Sequence, residues 1–150
     1  MNKLEIKEQL LTKCVERQMQ SIDDLQKEMD EAQRMSNDYG QPKDRYDAFR
    51  TKLLRQKDMY AQQQAKAILV LNTLKKISLK EELKKVEFGA VIIMDKQNLF
   101  VAAGIGKIEL NGTDYFAISP QVPIFKVLAG KKIGDEVVFN ANKFIISDIF

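Results

Sequence analysis

LTKCVERQMQSIDDLQKEMDEA, residues 11–32, and YDAFRTKLLRQKDMYAQQQAKAILVLNTLKKI, residues 46–77, decide the fold of this chain. In the first stretch apolar residues recur as Leu11, Val15, Ile22, Leu25, Met29 and Ala32, and Gln18 fills the one polar slot. Steps of four and three alternate, which is the heptad seam of paired helices. In the second stretch Tyr46, Phe49, Leu53, Gln56, Tyr60, Gln63, Ala67, Val70, Leu74 and Ile77 keep the same alternation. No proline or glycine interrupts Leu4 to Met35, and good helix formers dominate. The second helix is expected to start after Pro42 and to run to about Leu83.

Folded antiparallel about the turn at 36–43, the two seams match. Ala32 faces Phe49, Met29 faces Leu53, Ile22 faces Tyr60, Val15 faces Ala67 and Leu11 faces Val70. Gln18 falls opposite Gln63, and a buried amide pair fixes register while satisfying itself. Dimerisation through the same stripes also satisfies the pattern, so both pairings stay open. A helix of roughly 33 residues, rising about 1.5 Å per residue, extends on the order of 50 Å. Such a rod suits reaching into a partner better than enclosing a substrate. Behind the tip lie Arg50, Lys52, Arg55 and Lys57, a set that reads either as a solubilising face or as an electrostatic contact with an acidic wall. Ile68, Leu69 and Leu71 widen the stripe near the base, which predicts a second neighbour there. The charged segment Ser78–Lys85 reads as a helical or short linker.

The pattern changes at Val86. Short β-branched and aromatic runs follow at Ala90–Met94, Leu99–Ala103, Tyr115–Ile118, Val137–Phe139 and Phe144–Ile149, separated by Asp-Lys-Gln-Asn, Asn-Gly-Thr and Asn-Ala-Asn turns. One short helix is expected between Pro120 and Gly130, with Pro123 near its start and Gly130 at its stop. The expected class is α+β: an N-terminal antiparallel coiled-coil hairpin over residues 1–80, its tip at about 36–44, then a small antiparallel β domain over 86–150. Gly104-Ile105-Gly106-Lys107 reads as a bend, because no helix pattern follows it to build a phosphate cradle.

Composition removes several classes of function. The chain has 150 residues, 45% apolar and 30% charged, with no histidine and one cysteine. The lack of histidine excludes imidazole bases, catalytic triads and histidine-ligated zinc. Metal chemistry would rest on carboxylates, which suit magnesium or calcium. Cys14 has no internal disulfide partner, falls among apolar helix positions, and fits a buried thiol in a reducing cytoplasm. No apolar run approaches the roughly 18 residues of a membrane span, and the N-terminus lacks a signal-peptide core. Residues 1–85 carry 18 basic against 14 acidic side chains and residues 86–150 carry 6 against 7, so the net +3 resides in the helical part. Ser119 has no histidine or lysine partner in an evident motif, so no nucleophile is assigned.

The stretch Ile118-Ser119-Pro120-Gln121-Val122-Pro123-Ile124-Phe125-Lys126-Val127-Leu128-Ala129-Gly130-Lys131-Lys132-Ile133-Gly134-Asp135-Glu136-Val137 carries a family likeness. Its order of Ile-Ser, then Pro, then Leu-x-Gly-Lys, then Gly-Asp-x-Val resembles the closing segment of bacterial Gre-type transcript cleavage factors. Val86-Glu87-Phe88-Gly89-Ala90-Val91 is similar to that family's lead into the same domain, and Val122 departs from its usual serine. The order of helical hairpin and β domain agrees as well. The resemblance implies an FKBP-like β domain that docks on RNA polymerase at the mouth of its secondary channel. It also implies a coiled coil that enters the channel and brings tip carboxylates to a second magnesium ion, stimulating cleavage of backtracked RNA.

Gly40-Gln41-Pro42-Lys43-Asp44-Arg45-Tyr46-Asp47 can be laid on the family's tip pattern, Gly-Asp-Leu-x-Glu-Asn-Ala-Glu. Asp44 and Asp47 then take the two glutamate positions, Gln41 takes that of the key aspartate, and Asp38 is a further carboxylate nearby. The resemblance thus implies Asp44, with Asp38 or Asp47, as carboxylates assisting the polymerase, and Asp44 as a ligand of magnesium shared with it. Simple stabilisation of a starting helix by Asp44 and Asp47 is the plainer alternative. Polymerase contacts are expected from Gly40, Gln41, Arg50, Lys52 and Arg55 on the hairpin and from Pro123, Lys131, Gly134 and Asp135 on the β domain. The expectation is a cytoplasmic, bacterial transcription elongation regulator with no active site or cofactor of its own, monomeric if the hairpin closes on itself. The alternative is a coiled-coil interaction module with no part in transcription.

Overall fold

The computed structural model describes residues 2–39 and 48–150. Tyr46 of the expected seam, and Gly40, Gln41, Asp44 and Asp47 of the expected tip, lie outside the described residues. Two helices come first, α1 (Lys3–Asp38) and α2 (Ala48–Leu74). Strands β1 (Val91–Met94), β2 (Asn98–Val101), β3 (Gly106–Leu110) and β4 (Thr113–Ile118) follow, then α3 (Pro123–Leu128), β5 (Glu136–Phe139) and β6 (Asn142–Ile149). The arrangement is α+β. The chain divides by compactness into Arg17–Leu71 and a unit combining Met1–Glu16 with Asn72–Phe150.

Helix α1 opens on a reciprocal cap: the Glu5 N–H donates to Asn2 Oδ1 at 2.9 Å, and the Asn2 N–H donates to Glu5 Oε2 at 3.2 Å. Two otherwise orphaned donors are satisfied this way. Within Arg17–Leu71 the helices lie side by side, tied by polar contacts across the seam. Gln18 Nε2 donates to the Ala67 carbonyl at 2.9 Å, Gln64 Nε2 to the Ile22 carbonyl at 3.1 Å, and Lys57 Nζ to Gln33 Oε1 at 2.7 Å. As residue numbers rise on α1, their partners fall on α2, which is the antiparallel order. Ala32, Ser36 and Leu53 are buried, and Ile22, Leu25, Met29, Tyr60 and Ala67 are half-buried along the same line.

Two details of the seam differ from the pattern in the sequence. Gln63 is exposed and Gln64 turns inward, so the expected Gln18–Gln63 amide pair is not made. A helix of 3.6 residues per turn drifts against a strict heptad, and between Tyr60 and Ala67 the drift brings position 64 inward. Gln18 instead finds a backbone carbonyl, which a lone amide can use without a buried partner amide. Phe49, expected against Ala32, stands 43% exposed. The second helix also ends at Leu74, earlier than the expected Leu83, where the Ile77 N–H bonds to the Leu74 carbonyl. Ile77 then turns into the base, where its Cγ2 lies 3.5 Å from the position a side chain at Gly89 would occupy. Burial of Ile77 there outweighs the helical propensity of the charged residues that follow.

The second unit is built on a six-stranded sheet of order β3-β4-β2-β1-β6-β5. All neighbours pair antiparallel except β2 and β4, which run parallel through Leu99↔Phe116 and Val101↔Ile118. The sheet is therefore mixed, with one strand more than the five runs read from sequence. The added strand is β3, which takes in Gly106 and Lys107 of the expected bend and alternates Ile108 and Leu110 inward with Lys107 and Glu109 outward. Because β3 takes the outer place, β4 returns inside it and meets β2 in the parallel sense. Short α3 sets Leu128, Ile124 and Phe125 against Ile92, Met94, Leu99, Val101, Val137, Phe144 and Ile146. The other face buries Val91, Phe100, Ile108, Tyr115 and Ala117. The first turns of α1 reach this unit through Lys3, whose Nζ lies 3.0 Å from Asp148 Oδ2, and Lys13, whose Nζ donates to the Glu109 carbonyl at 2.6 Å.

Candidate functional site

The described carboxylate nearest the expected tip is Asp38, at the end of α1. Its Oδ2 accepts from Arg34 Nη1 at 2.7 Å, and the same guanidinium also binds both oxygens of Glu31. The hydrogen bond from Arg34 holds the Glu31 carboxyl below its usual range, and the two acids hold the guanidinium above its own. Asp38, expected as an assisting carboxylate, is thus paired with an arginine one turn back in an exposed ion pair. Among the described residues no three acidic or thiol side chains gather into a metal-binding group. The remaining expected carboxylates, Asp44 and Asp47, and the expected contacts Gly40 and Gln41 fall outside the described residues.

The described residues that flank residues 40–47 in sequence include aromatic and basic side chains. Tyr39 and Phe49 meet with ring centroids 4.8 Å apart at an interplanar angle of 49°, and the Arg50 guanidinium carbon lies 5.9 Å from the Tyr39 ring centroid. Lys52 and Arg55 are exposed on the following turn and a half of α2, and Lys57 reaches across to Gln33. Asp58 is the lone acid between Ala48 and Leu74, against five basic residues: Arg50, Lys52, Arg55, Lys57 and Lys66. Several acids on the facing stretch of α1 are paired within that helix, as Lys27–Asp23, Arg34–Glu31 and Arg34–Asp38 are. The charge of α2 is therefore not cancelled by its own sequence.

In the β unit the expected contacts split by role. Pro123 opens α3 behind an extended Val122 (φ −74°, ψ 151°), as its missing N–H and fixed φ allow, and it is exposed. Lys131 is exposed too, but its backbone closes the fold: its N–H donates to the Leu128 carbonyl, and its carbonyl accepts from the Val86 N–H at 2.9 Å. Gly134 takes φ +92°, a value side chains rarely adopt, and its N–H donates to the Ile146 carbonyl at 2.7 Å. Asp135 Oδ2 accepts from the Lys132 N–H at 2.8 Å, and its carbonyl accepts from the Ile146 N–H. Gly134 and Asp135 build the corner before β5, and nothing about them requires a partner.

Lys7 belongs to no motif in the sequence, yet its environment is unusual. It is fully buried in the first turns of α1, and its Nζ has no hydrogen-bond partner among the described residues. Burial pushes its ammonium below the usual lysine range, against the pull of Glu82 and Glu87. The residue pattern does hold a signal: Lys7 precedes Leu11 by four and Leu10 by three, so it continues the inward stripe toward the N-terminus. Cys14 on that stripe is buried, as expected of a structural thiol.

No family model matches the chain, and no curated protein matches it. Among solved structures it is similar to the crystal structure of GreA factor homolog 1 (Gfh1) of Thermus thermophilus. Identity is 17%, coverage is 91% of this chain and 94% of that one, and the TM-score is 0.35. A further structure of the transcription factor Gfh1 gives 17% identity, 90% and 92% coverage, and a TM-score of 0.34. No described helix is long and apolar enough to cross a membrane.

Proposed function

We propose that the chain is a Gre-like regulator that binds bacterial RNA polymerase in its secondary channel, acting through the polymerase and not through an active site of its own. One observation carries this reading. Ile118–Val137 runs from the last residue of β4 through α3 to the start of β5 in an α+β unit, and the same chain holds an antiparallel helix pair. That is the set of parts the motif's resemblance implies. The exposed basic residues Lys52 and Arg55 support contact with an acidic wall. Asp38 is tied to Arg34 and Gln41 carries no charge, which favours a modulator that occupies the channel over one that stimulates cleavage.

The test is binding of the purified chain to core RNA polymerase, followed by incubation with a backtracked elongation complex and magnesium. Binding is expected, weakened by Lys52→Glu with Arg55→Glu, together with a changed rate of nucleotide addition and no transcript shortening. Shortening that disappears with Asp44→Ala would replace the non-cleaving version by the cleaving one, with magnesium shared at Asp44. Failure to bind polymerase would sink both and leave the coiled-coil interaction module.

A further inference from the structure

The end of the helix pair carries an aromatic arrangement that packing does not call for. Tyr39 is 46% and Phe49 43% exposed, although Ala32, Ser36 and Leu53 close by are buried. Burying a ring removes far more apolar surface from water than burying an alanine or serine, so a helix pair selected for stability alone would turn Phe49 inward. Instead the two rings lean on each other, and the Arg50 guanidinium sits over the Tyr39 ring. Phe49, Lys52 and Arg55 follow at intervals of three, successive steps of about 4.5 Å along α2. On α1, Glu31 and Asp38 both bond to Arg34, and neither carboxylate is paired with Lys52 or Arg55.

We propose that Phe49 and Tyr39, with Lys52 and Arg55, form a stacking platform for single-stranded nucleic acid. A base lies on the exposed aromatic pair, and the flanking phosphates meet the two basic side chains. Sequence-tolerant single-strand binding needs this combination, since every base offers a π face and every nucleotide a charge. A duplex buries its base faces and offers no such partner. An acidic protein surface would use the basic residues but leave the rings unexplained. The proposal goes beyond polymerase binding and rests on the exposed rings and the two basic side chains that follow them on α2.

The full chain is titrated into a fluorescein-labelled, unstructured ten-nucleotide RNA, with anisotropy as the readout and no polymerase present. Parallel arms use an abasic oligonucleotide of the same length, a duplex and polyglutamate as competitor. Saturable binding to the single strand is expected, weaker for the abasic strand and the duplex. Phe49→Ala should weaken it roughly 10-fold or more while Phe49→Trp retains it. Lys52→Gln with Arg55→Gln should lower the slope of log K against log salt by about 1.4, since each phosphate neutralised on a single strand adds about 0.7. Helicity by circular dichroism confirms that each variant is folded, as the exposure of these side chains predicts. The proposal is overturned by absence of binding, by Phe49→Ala binding like wild type, by equal affinity for abasic and intact strands, or by polyglutamate competing as well as RNA. Each of these outcomes is independent of whether the chain binds polymerase.

Discussion

Replacing Lys7 by methionine should stabilise the protein. The side chain is fully buried and its ammonium nitrogen finds no hydrogen-bond partner among the described residues, so the native state bears the desolvation of a cation without a direct contact in return. A buried group left unsatisfied costs about 1–3 kcal/mol, and exchanging buried charges for apolar groups of similar size can stabilise by about 1–4 kcal/mol. Methionine keeps the length and flexibility of the stem, so no cavity opens. Glu82 and Glu87 lie close enough to favour the charged form but do not bond to it, which places the expected gain at about 1–3 kcal/mol at pH 7. Urea denaturation followed by circular dichroism measures it.

The pH dependence supplies a second check on the same residue. Burial lowers the native ammonium below its usual range, while the unfolded chain titrates near 10.4, so between those values the unfolded state holds the extra proton. Stability of the wild type then rises with pH across that window, and the advantage of Lys7→Met shrinks toward its upper end. A loss of more than about 1 kcal/mol in Lys7→Met, or an advantage that stays constant from about pH 7 to 10, would refute the account of Lys7 as a strained buried cation.

Three further outcomes follow from the backbone. The β5–β6 turn holds Asn140 at φ +51° and Ala141 at φ +62°, so Ala141→Gly should raise the urea midpoint by an amount equivalent to about 1 kcal/mol. Asn2→Ala removes the reciprocal cap of α1 and should cost about 1 kcal/mol, read in the same denaturation series; an unchanged midpoint would dismiss the cap. Gly89→Val places a branched side chain at φ +90° within reach of Ile77 and Leu83, and should lower thermal stability by several degrees while Gly104→Ala, with open space around it, changes little.

The helix pair was legible because its information is local and repetitive. Every residue of the α1 seam from Leu11 to Ala32 is buried or half-buried, and so are seven of the expected α2 positions, Leu53, Gln56, Tyr60, Ala67, Val70, Leu74 and Ile77. What periodicity could not supply was phase: whether 63 or 64 points inward depends on the drift between helical and heptad repeats. Nor could it foresee that Ile77 would leave the helix to be buried in the base. In the β unit the strands bounded by turn signals were readable. Strand β3 was not, because Gly104 and Gly106 mark a bend so strongly that the alternation of Ile108 and Leu110 behind it is short by comparison. The parallel β2–β4 pair is a consequence of topology that no local run of residues encodes. At the hairpin end, basic residues were visible in sequence. The meeting of Tyr39 with Phe49 was not, since Tyr39 lies just past the end of α1 and Phe49 on α2.

The structure also separates two kinds of information that the sequence presented together. Gly134 and Asp135, which anchor the family likeness, have full structural occupations: a positive φ, backbone bonds to Ile146 and a carboxylate closing on Lys132. Any protein needing this corner before β5 would select such residues, so the motif testifies mainly to the fold. Phe49, Lys52 and Arg55 are the opposite case. Lys52 and Arg55 are exposed, and Phe49 leaves 43% of its surface in water although its ring rests on Tyr39, so folding draws less on these three than on the buried seam. Residues whose presence folding does not account for carry the stronger indication of a partner, and on this chain they lie on the first turns of α2. Lys52→Gln and Arg55→Gln should alter binding while leaving stability within about 0.5 kcal/mol of wild type, whereas Gly134→Ala should do the reverse.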